Sequence, residues 1–275
     1  MEHDNNKPVQ LNIRETFRKK NPRIMKFMPG FVFMIIESIL HMKKLNSHLV
    51  VCRDKIGVDF AKTSCDMFKL NLVVRDEENI PSDGRFIFVA NHPLGGLESL
   101  GMIHVIGQHH KKLKFFVNDI LCAITNMNEI FVPINKHGMQ AKESIIMFDK
   151  VFSSDNQILF YPAGLVSRKI NGKIVDLEWK KYFIKQAIKH KRDIVPIHIN
   201  ARNTNFFYNV ANWRKKLGIK ANIEMFFLPD QMYKQTGKTI TYTIGKPISW
   251  QSFDKTKTPE NWAEHVKEIV YSLNK

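Results

Sequence analysis

The stretch "FIFVANHPLGGLESLGM" (residues 86–102) contains a complete strand–turn–helix pattern. Its apolar run "FIFVA" is typical of a buried strand, and the run stops at an Asn-His-Pro triplet that includes His92. The proline removes a backbone donor, and Gly95 and Gly96 permit a tight turn and close approach by other atoms. A second apolar segment follows at once and carries Glu98 in its first turn. The pattern predicts a strand that ends on a histidine and a helix that begins with an acid.

Short β-rich runs and helix-length segments alternate through most of the remaining chain. The strand-like runs are "NLVVR", "RFIFVA", "LKFFV", "EIFVPI", "QILFYP", "DIVPIHI", "NIEMFFL" and "TITYTIG". Segments 97–108, 139–152 and 178–190 are long enough for the helices between them. This alternation predicts an α/β fold with a mainly parallel central sheet flanked by helices, in which the last two strands pair antiparallel. We expect an N-terminal arm and helical element over residues 1–70, followed by one large domain over residues 71–275.

The charge of the chain points to an anionic partner. Forty-two lysine and arginine residues against 26 acidic residues give a net charge of +16. Such a balance favours nucleic acid or an anionic lipid surface. The aromatic residues lie mostly within apolar runs such as "KFFV", which are typical of core, so we expect a lipid surface and no nucleic acid. The three cysteines have no CxxC spacing and no HExxH motif occurs, so no metal site is predicted.

The segment "IMKFMPGFVFMIIESILHMKK" (24–44) is the best candidate for contact with a membrane. Its uninterrupted apolar part, Phe31 to Ile36, is far shorter than the roughly 20 residues that a spanning helix needs. We therefore expect an amphipathic helix with basic flanks and no spanning helix. Two interpretations remain open at this stage, since the helix can lie on a membrane or pack against the domain.

The spacing of His92 and Glu98 has a chemical meaning. In open α/β sheets, ligands bind at the carboxyl ends of the strands, where His92 is placed. A carboxylate on one imidazole nitrogen fixes the tautomer and leaves the other nitrogen as a general base, which is worth roughly 10²- to 10⁴-fold in rate. Such a pair can deprotonate an alcohol or amine that attacks an acyl group, and backbone N–H groups of Gly95 and Gly96 could stabilise the oxyanion. The alternative is a structural hydrogen bond at a strand end.

The stretch "NHPLGGLES" resembles the histidine–acid motif of the PlsC-type glycerolipid acyltransferases, in the longer-spaced version of the ornithine- and glycine-lipid O-acyltransferases. Three further blocks of that family are matched in order along the chain. They are "IFVPINKHG" (130–138), "LFYPAGLVSR" (159–168) and "IVPIHI" (194–199). The resemblance covers roughly residues 70 to 200 and implies a glycerol-3-phosphate-acyltransferase-like fold. It also implies transfer of a fatty acyl group from a thioester to the hydroxyl of a lyso-lipid, without a covalent enzyme intermediate.

Two departures from the family pattern bear on the reaction. The acid of the first block is usually Asp, and here it is Glu98. The acceptor-binding Glu of the third block is replaced by Ala163. The second change argues against glycerol 3-phosphate or its lyso form as the acceptor. It favours an acceptor with its own carboxylate, such as an N-acyl amino acid.

Further site residues follow from the same blocks. The resemblance places the acceptor beside Asn135, Lys136, Ala163, Gly164, Ser167 and Arg168. Two of these, Lys136 and Arg168, are predicted to reach the rim and hold a carboxylate or phosphate; the alternative is that they are ordinary surface cations. Asp176 and Trp179 are expected to support the third block or, in the preferred interpretation, Asp176 caps the following helix.

The resulting hypothesis is a peripheral acyltransferase on the cytoplasmic face of a membrane. Its co-substrate is an acyl carrier protein or coenzyme A thioester, and no other cofactor is expected. Its partners are the thioester donor, an anionic membrane surface and a lyso-lipid acceptor. Two alternatives stay open, namely a lysophosphatidic acid acyltransferase of phospholipid synthesis and a non-catalytic lipid-binding relative.

Overall fold

The structure is a computed structural model that describes residues 11–12, 14–15, 18, 29–134 and 141–274. The strands are β1 (Asn71–Arg75), β2 (Phe86–Ala90), β3 (Leu113–Val117), β4 (Phe131–Pro133), β5 (Gln157–Phe160), β6 (Arg168–Ile170), β7 (Lys173–Val175), β8 (Asp193–Asn200) and β9 (Thr239–Ile244). The α-helices are α1 (Gly30–Ile39), α2 (Met42–Val51), α3 (Gly57–Met67), α4 (Leu97–His109), α5 (Ala141–Ser153), α6 (Tyr182–His190), α7 (Asn205–Lys216), α8 (Leu228–Tyr233) and α9 (Pro259–Ser272).

A central sheet with the strand order β1-β9-β8-β2-β5-β3-β4 organises the described part of the chain. Strands β8, β2, β5, β3 and β4 run parallel, whereas β9 pairs antiparallel with β8 and parallel with β1. Strands β6 and β7 form a separate two-stranded hairpin. The predicted fold class, a mainly parallel sheet flanked by helices, is confirmed. The parallel strands end at the same edge, so the segments after β2, β5 and β8 meet there.

Strand β2 lies at the centre of the core, and all five of its residues are buried. Phe88 and Ala90 pack into one hydrophobic cluster with α3 and α4, while Ile87 and Val89 pack into a second cluster with α6 and α9. A continuous apolar run suits a strand that is covered on both faces. Helix α3, which the sequence places in the N-terminal element, contributes Phe60 to the first of these clusters.

The N-terminal segment forms two helices where the sequence predicts one helix over 24–44. Helix α1 ends at Ile39 and α2 begins at Met42, because His41 adopts a left-handed backbone with φ of 50°. Residues 24–28 lie outside the described part. Among the helices of the described residues, none is long and apolar enough to cross a bilayer.

The run "NIEMFFL" is not a strand, so this prediction is wrong. Residues Ile223–Phe227 form a 3₁₀ turn that leads into α8. A short apolar run does not distinguish a strand from a buried turn or helix by its periodicity. The antiparallel pairing that was expected for the last two strands occurs instead between β8 and β9.

Candidate active site

His92 and Glu98 are in direct contact at the carboxyl end of β2. The Nδ1 atom of His92 lies 2.8 Å from Oε1 of Glu98. Glu98 is fully buried, and the His92 side chain keeps 14% of its surface exposed. Two residues six apart reach each other because the turn between them folds the first turn of α4 back over the strand end. This contact was expected from the sequence.

The carboxylate of Glu98 is also the centre of the turn itself. Its Oε1 accepts hydrogen bonds from the backbone N–H groups of Leu94 (2.9 Å) and Gly95 (2.8 Å), and its Oε2 accepts one from Gly96 (2.9 Å). Burial acts to raise the pKa of Glu98, but the bond and charge of His92 and the backbone donors outweigh it and lower that pKa below its usual value. Glu98 is therefore an acceptor at neutral pH, and His92 Nδ1 donates to it.

The expectation that Gly95 and Gly96 supply oxyanion donors is wrong for this arrangement. Their N–H groups donate to Glu98 and are already engaged. Gly95 has another role, because its backbone adopts φ of 102° and a Cβ there would lie 2.8 Å from Leu228 and 2.9 Å from Val166. Only glycine fits this close approach without strain.

Residues of the third sequence block and of the segment after it make hydrogen bonds to the backbone of His92. The backbone N–H of Ser167 donates to the His92 carbonyl (2.7 Å), and the His92 N–H donates to Asp176 Oδ1 (3.2 Å). The Ser167 hydroxyl lies 2.5 Å from the same Asp176 oxygen, and Trp179 Nε1 donates to the other oxygen at 2.9 Å. Ser167 is thus a support of His92, where the sequence suggested an acceptor contact.

Asp176 does not cap the following helix, so that preferred interpretation is wrong. Helix α6 begins at Tyr182, and no side chain caps it. Asp176 is buried beneath His92, and burial raises its pKa although the bonds from Ser167 and Trp179 oppose the rise. The other interpretation, support of the third block, agrees with the contacts.

Two buried asparagines that sequence reasoning did not assign anchor the same turn. Asn91 donates to the Ile199 carbonyl (2.9 Å) and accepts from the Ile199 N–H (2.7 Å), so it ties the end of β2 to β8. Asn203 donates through Nδ2 to the carbonyls of Pro93 (3.2 Å) and Leu94 (3.3 Å). Asn91 stands beside His92 in the quoted motif, but no local signal marks Asn203, since it comes from the loop after β8.

The loop after β5 forms the neighbouring wall. The ring of Tyr161 stacks on the imidazole of His92, with 4.1 Å between the ring centres and 17° between the planes. Ala163 is buried, and Gly164 has φ of 65° with open space where a side chain would project. Ala163 and Gly164 follow Tyr161 in the same loop, and their contact with the acceptor stays a prediction.

Arg168 does not present an unpaired cation, contrary to expectation. It is buried, and its Nη2 lies 2.7 Å from Oε1 of Glu224, which is also buried. Glu224 accepts in addition from Nε of Arg214 at 2.6 Å. The guanidinium of Arg168 is thus committed to an internal ion pair, and a contact with the acceptor stays a prediction.

Two predicted acceptor residues and the question of a metal site remain to be considered. Asn135 and Lys136 lie outside the described residues, so their roles remain predictions. Within 29–134 and 141–274, no group of three or more His, Cys, Asp or Glu side chains is arranged to hold a metal ion. The chemistry that this site offers is that of an imidazole whose one nitrogen is held by an ionised carboxylate.

The fold is similar to that of a solved lipid acyltransferase. The 1-acyl-sn-glycerophosphate acyltransferase PlsC from Thermotoga maritima superposes with a TM-score of 0.51 at 17% sequence identity, over 88% of each chain. This likeness shows the fold, that of an acyltransferase with a mainly parallel sheet.

The sequence narrows the class further. A family model described as "Acyltransferase" matches residues 15–275, so the chain belongs to this acyltransferase family. A lyso-glycine lipid O-acyltransferase of Bacteroides thetaiotaomicron is 46% identical over 264 residues, which cover 96% of this chain and 97% of the relative. A protein of the same description from Phocaeicola vulgatus is 42% identical, over 96% of this chain and 95% of that protein. The predicted resemblance and the predicted enzyme class are confirmed.

Proposed function

We propose that this acyltransferase moves a fatty acyl group from a thioester to the hydroxyl of a lyso-glycine lipid, with His92 as the general base. The observation that carries the proposal is the contact between His92 Nδ1 and the buried, ionised Glu98. Because Nδ1–H donates to the carboxylate, the lone pair lies on Nε2. That nitrogen is the one that takes a proton from the acceptor.

The reaction follows in two steps. Nε2 of His92 removes the hydroxyl proton while the acceptor oxygen attacks the thioester carbonyl, and Glu98 stabilises the imidazolium that forms. The tetrahedral intermediate then collapses, the C–S bond breaks, and the imidazolium returns its proton to the departing thiolate. General-base catalysis of this kind contributes roughly 10²- to 10⁴-fold.

Three observations support an N-acylated amino acid as acceptor. Both similar curated proteins are named for a lyso-glycine lipid. Ala163 stands where the third block usually carries a glutamate, so the acceptor's own carboxylate meets no like charge there. The net charge of +16 favours an acidic acceptor in general. The donor is the thioester of acyl carrier protein or coenzyme A, both of which are anionic.

The enzyme works from the cytoplasmic surface of the membrane in this proposal. Helix α1 exposes Phe31, Met34 and Ile35, with 58%, 60% and 53% of their surfaces accessible. These residues recur at helical spacing and form one apolar face. Together with the excess of basic residues, such a face suits attachment to an anionic leaflet.

The test is an assay by mass spectrometry with purified protein and acyl carrier protein thioester. The acceptors are lyso-glycine lipid, N-acyl serine, N-acyl ornithine and lysophosphatidic acid. His92→Ala is compared with His109→Ala, a histidine at the far end of α4 that pairs with Glu77 (2.9 Å) on the surface. We expect the wild type to form product on lyso-glycine lipid. The rate of product formation should fall by about 10²-fold or more in His92→Ala and should not change in His109→Ala.

The other outcomes are equally informative. Product only on lysophosphatidic acid would refute the acceptor argument and keep the enzyme class. No product on any acceptor, from folded protein, would favour a lipid-binding relative without activity.

A further inference from the structure

Helix α7 exposes a stripe of large apolar side chains. Phe206, Trp213 and Leu217 have 47%, 62% and 74% of their surfaces accessible. Positions seven and four residues apart fall on one side of a helix, so Phe206, Trp213 and Leu217, the residue that directly follows α7, lie on the same side and are named the α7 stripe. Phe207 and Tyr208 point the other way and are fully buried.

The surroundings of the α7 stripe are positively charged. The segment 205–227 contains Arg214, Lys215, Lys216 and Lys220 and a single acid, Glu224. That acid is fully buried and bonded to Arg168 and Arg214. The three lysines are exposed. An apolar row with a tryptophan, bordered by lysines, is the pattern of a helix that lies in the boundary between lipid and water.

The buried face of the same helix is attached to the candidate active site. The hydroxyl of Tyr208 accepts a hydrogen bond from the backbone of Asn203 (3.1 Å). Asn203 in turn binds the carbonyls of Pro93 and Leu94, in the turn between His92 and Glu98. The α7 stripe therefore lies on the outer face of a helix that is linked, through Asn203, to the turn between His92 and Glu98.

Helix α8 connects this region to the N-terminal helices. Leu228 of α8 lies close to Gly95. Phe227, just before α8, packs edge-on against Phe206 of α7, with ring centres 5.0 Å apart. On the other side, Asp230 of α8 lies 3.3 Å from the ring of His41, between α1 and α2. The segment 227–230 thus contacts both α7 and the turn between α1 and α2.

We propose that the α7 stripe is a second membrane-contact surface, which docks on an anionic lipid bilayer together with α1. This inference rests on the proposed function, because a lyso-lipid acceptor resides in the membrane. The stripe extends over about 16 Å of helix, from Phe206 to Leu217, and its apolar side chains fit the lipid boundary. An acidic protein such as acyl carrier protein would be recognised by the lysines and gains little from the exposed Trp213 and Leu217.

The experiment measures sedimentation of the full chain with vesicles of phosphatidylcholine and phosphatidylglycerol. Trp213→Ser combined with Leu217→Ser is compared with the wild type. Ile188→Ser is the control, because Ile188 is 39% exposed on α6, just before the amino end of β8 and away from the site. We expect the double variant to bind the vesicles about tenfold or more weakly, and Ile188→Ser to bind as the wild type does.

Activity is measured in parallel on acceptor in vesicles and in detergent micelles. The double variant is expected to lose activity on vesicles and to keep it in micelles, because neither substituted residue belongs to the site. Unchanged vesicle binding in the double variant overturns the inference. Weaker use of acyl carrier protein thioester with unchanged vesicle binding overturns it in favour of a donor-docking surface.

The vesicle measurement also separates this inference from the proposed function. If the wild type is inactive but its vesicle binding still depends on Trp213 and Leu217, the proposed reaction is refuted and the membrane-contact surface is supported. An active wild type with unchanged vesicle binding in the double variant keeps the reaction and refutes the surface.

Discussion

Replacing Glu98 by glutamine removes one negative charge from the centre of the turn and keeps the size of the side chain. In the wild type, one carboxylate oxygen accepts from His92, Leu94 and Gly95, and the other accepts from Gly96. Glutamine has one oxygen that can keep the first three bonds. Its amide group then faces the N–H of Gly96, so two donors meet in a fully buried place.

These contacts set the size of the expected loss in stability and of the expected loss in rate. A buried donor left without an acceptor costs about 1–3 kcal/mol, so we expect the free energy of unfolding to fall by that amount. In the reaction, the charge-assisted bond to the imidazolium is worth about 1.5–3 kcal/mol. At about 1.36 kcal/mol for each factor of ten, its loss lowers kcat by about 10- to 150-fold. His92→Ala removes the proposed base, so we expect it to lower the rate at least as far.

The assay compares kcat on lyso-glycine lipid with unfolding in urea for each variant. Glu264→Gln is the matched control, because Glu264 lies on the surface of α9 and pairs with Lys267 at 3.2 Å. Glu98→Asp keeps the charge, but its shorter side chain does not reach all four donors, so we expect it to lose stability as well. A Glu98→Gln enzyme with wild-type kcat and wild-type stability would refute the reasoning about this carboxylate.

Four further results are expected. Ser167→Ala removes a hydroxyl beneath His92, so kcat should fall several-fold while KM for the acceptor stays constant; a change confined to KM would instead show an acceptor contact. Gly95→Ala introduces a methyl group 2.8 Å from a leucine of α8 at a positive φ, and thermal unfolding should reveal a clear loss of stability. Burial lowers the pKa of His198 from 6.5 to about 4. Between these two pH values the unfolded chain binds a proton that the folded chain does not, so the free energy of unfolding falls as the pH drops from 6.5 towards 4. His198→Gln should flatten that pH dependence in urea unfolding, and an unchanged slope would contradict the assignment. Ala163→Glu should reduce activity on lyso-glycine lipid more than Ala163→Gln does, because only the glutamate repels the acceptor's carboxylate, and equal losses would point to size alone.

The sequence alone determined the features that depend on residues close along the chain and on the order of its segments. The alternation of strands and helices was sufficient to predict the mainly parallel sheet. The motif at 89–102 was sufficient to predict the contact of His92 with Glu98, since a single turn connects them. The four matched blocks predicted the acyltransferase family, which the comparisons confirm. Residues close along the chain have few geometries open to them, so their contacts can be foreseen.

Only the tertiary structure decided the partners that come from distant segments. Gly95 is approached closely by Leu228 of α8 and by Val166 of the loop after β5. Arg168 meets a carboxylate 56 residues further along, in a run that was predicted as a strand. Asn203 reaches the turn between His92 and Glu98 from 110 residues away. Such contacts follow from the packing of the whole chain, and local periodicity carries no information about them.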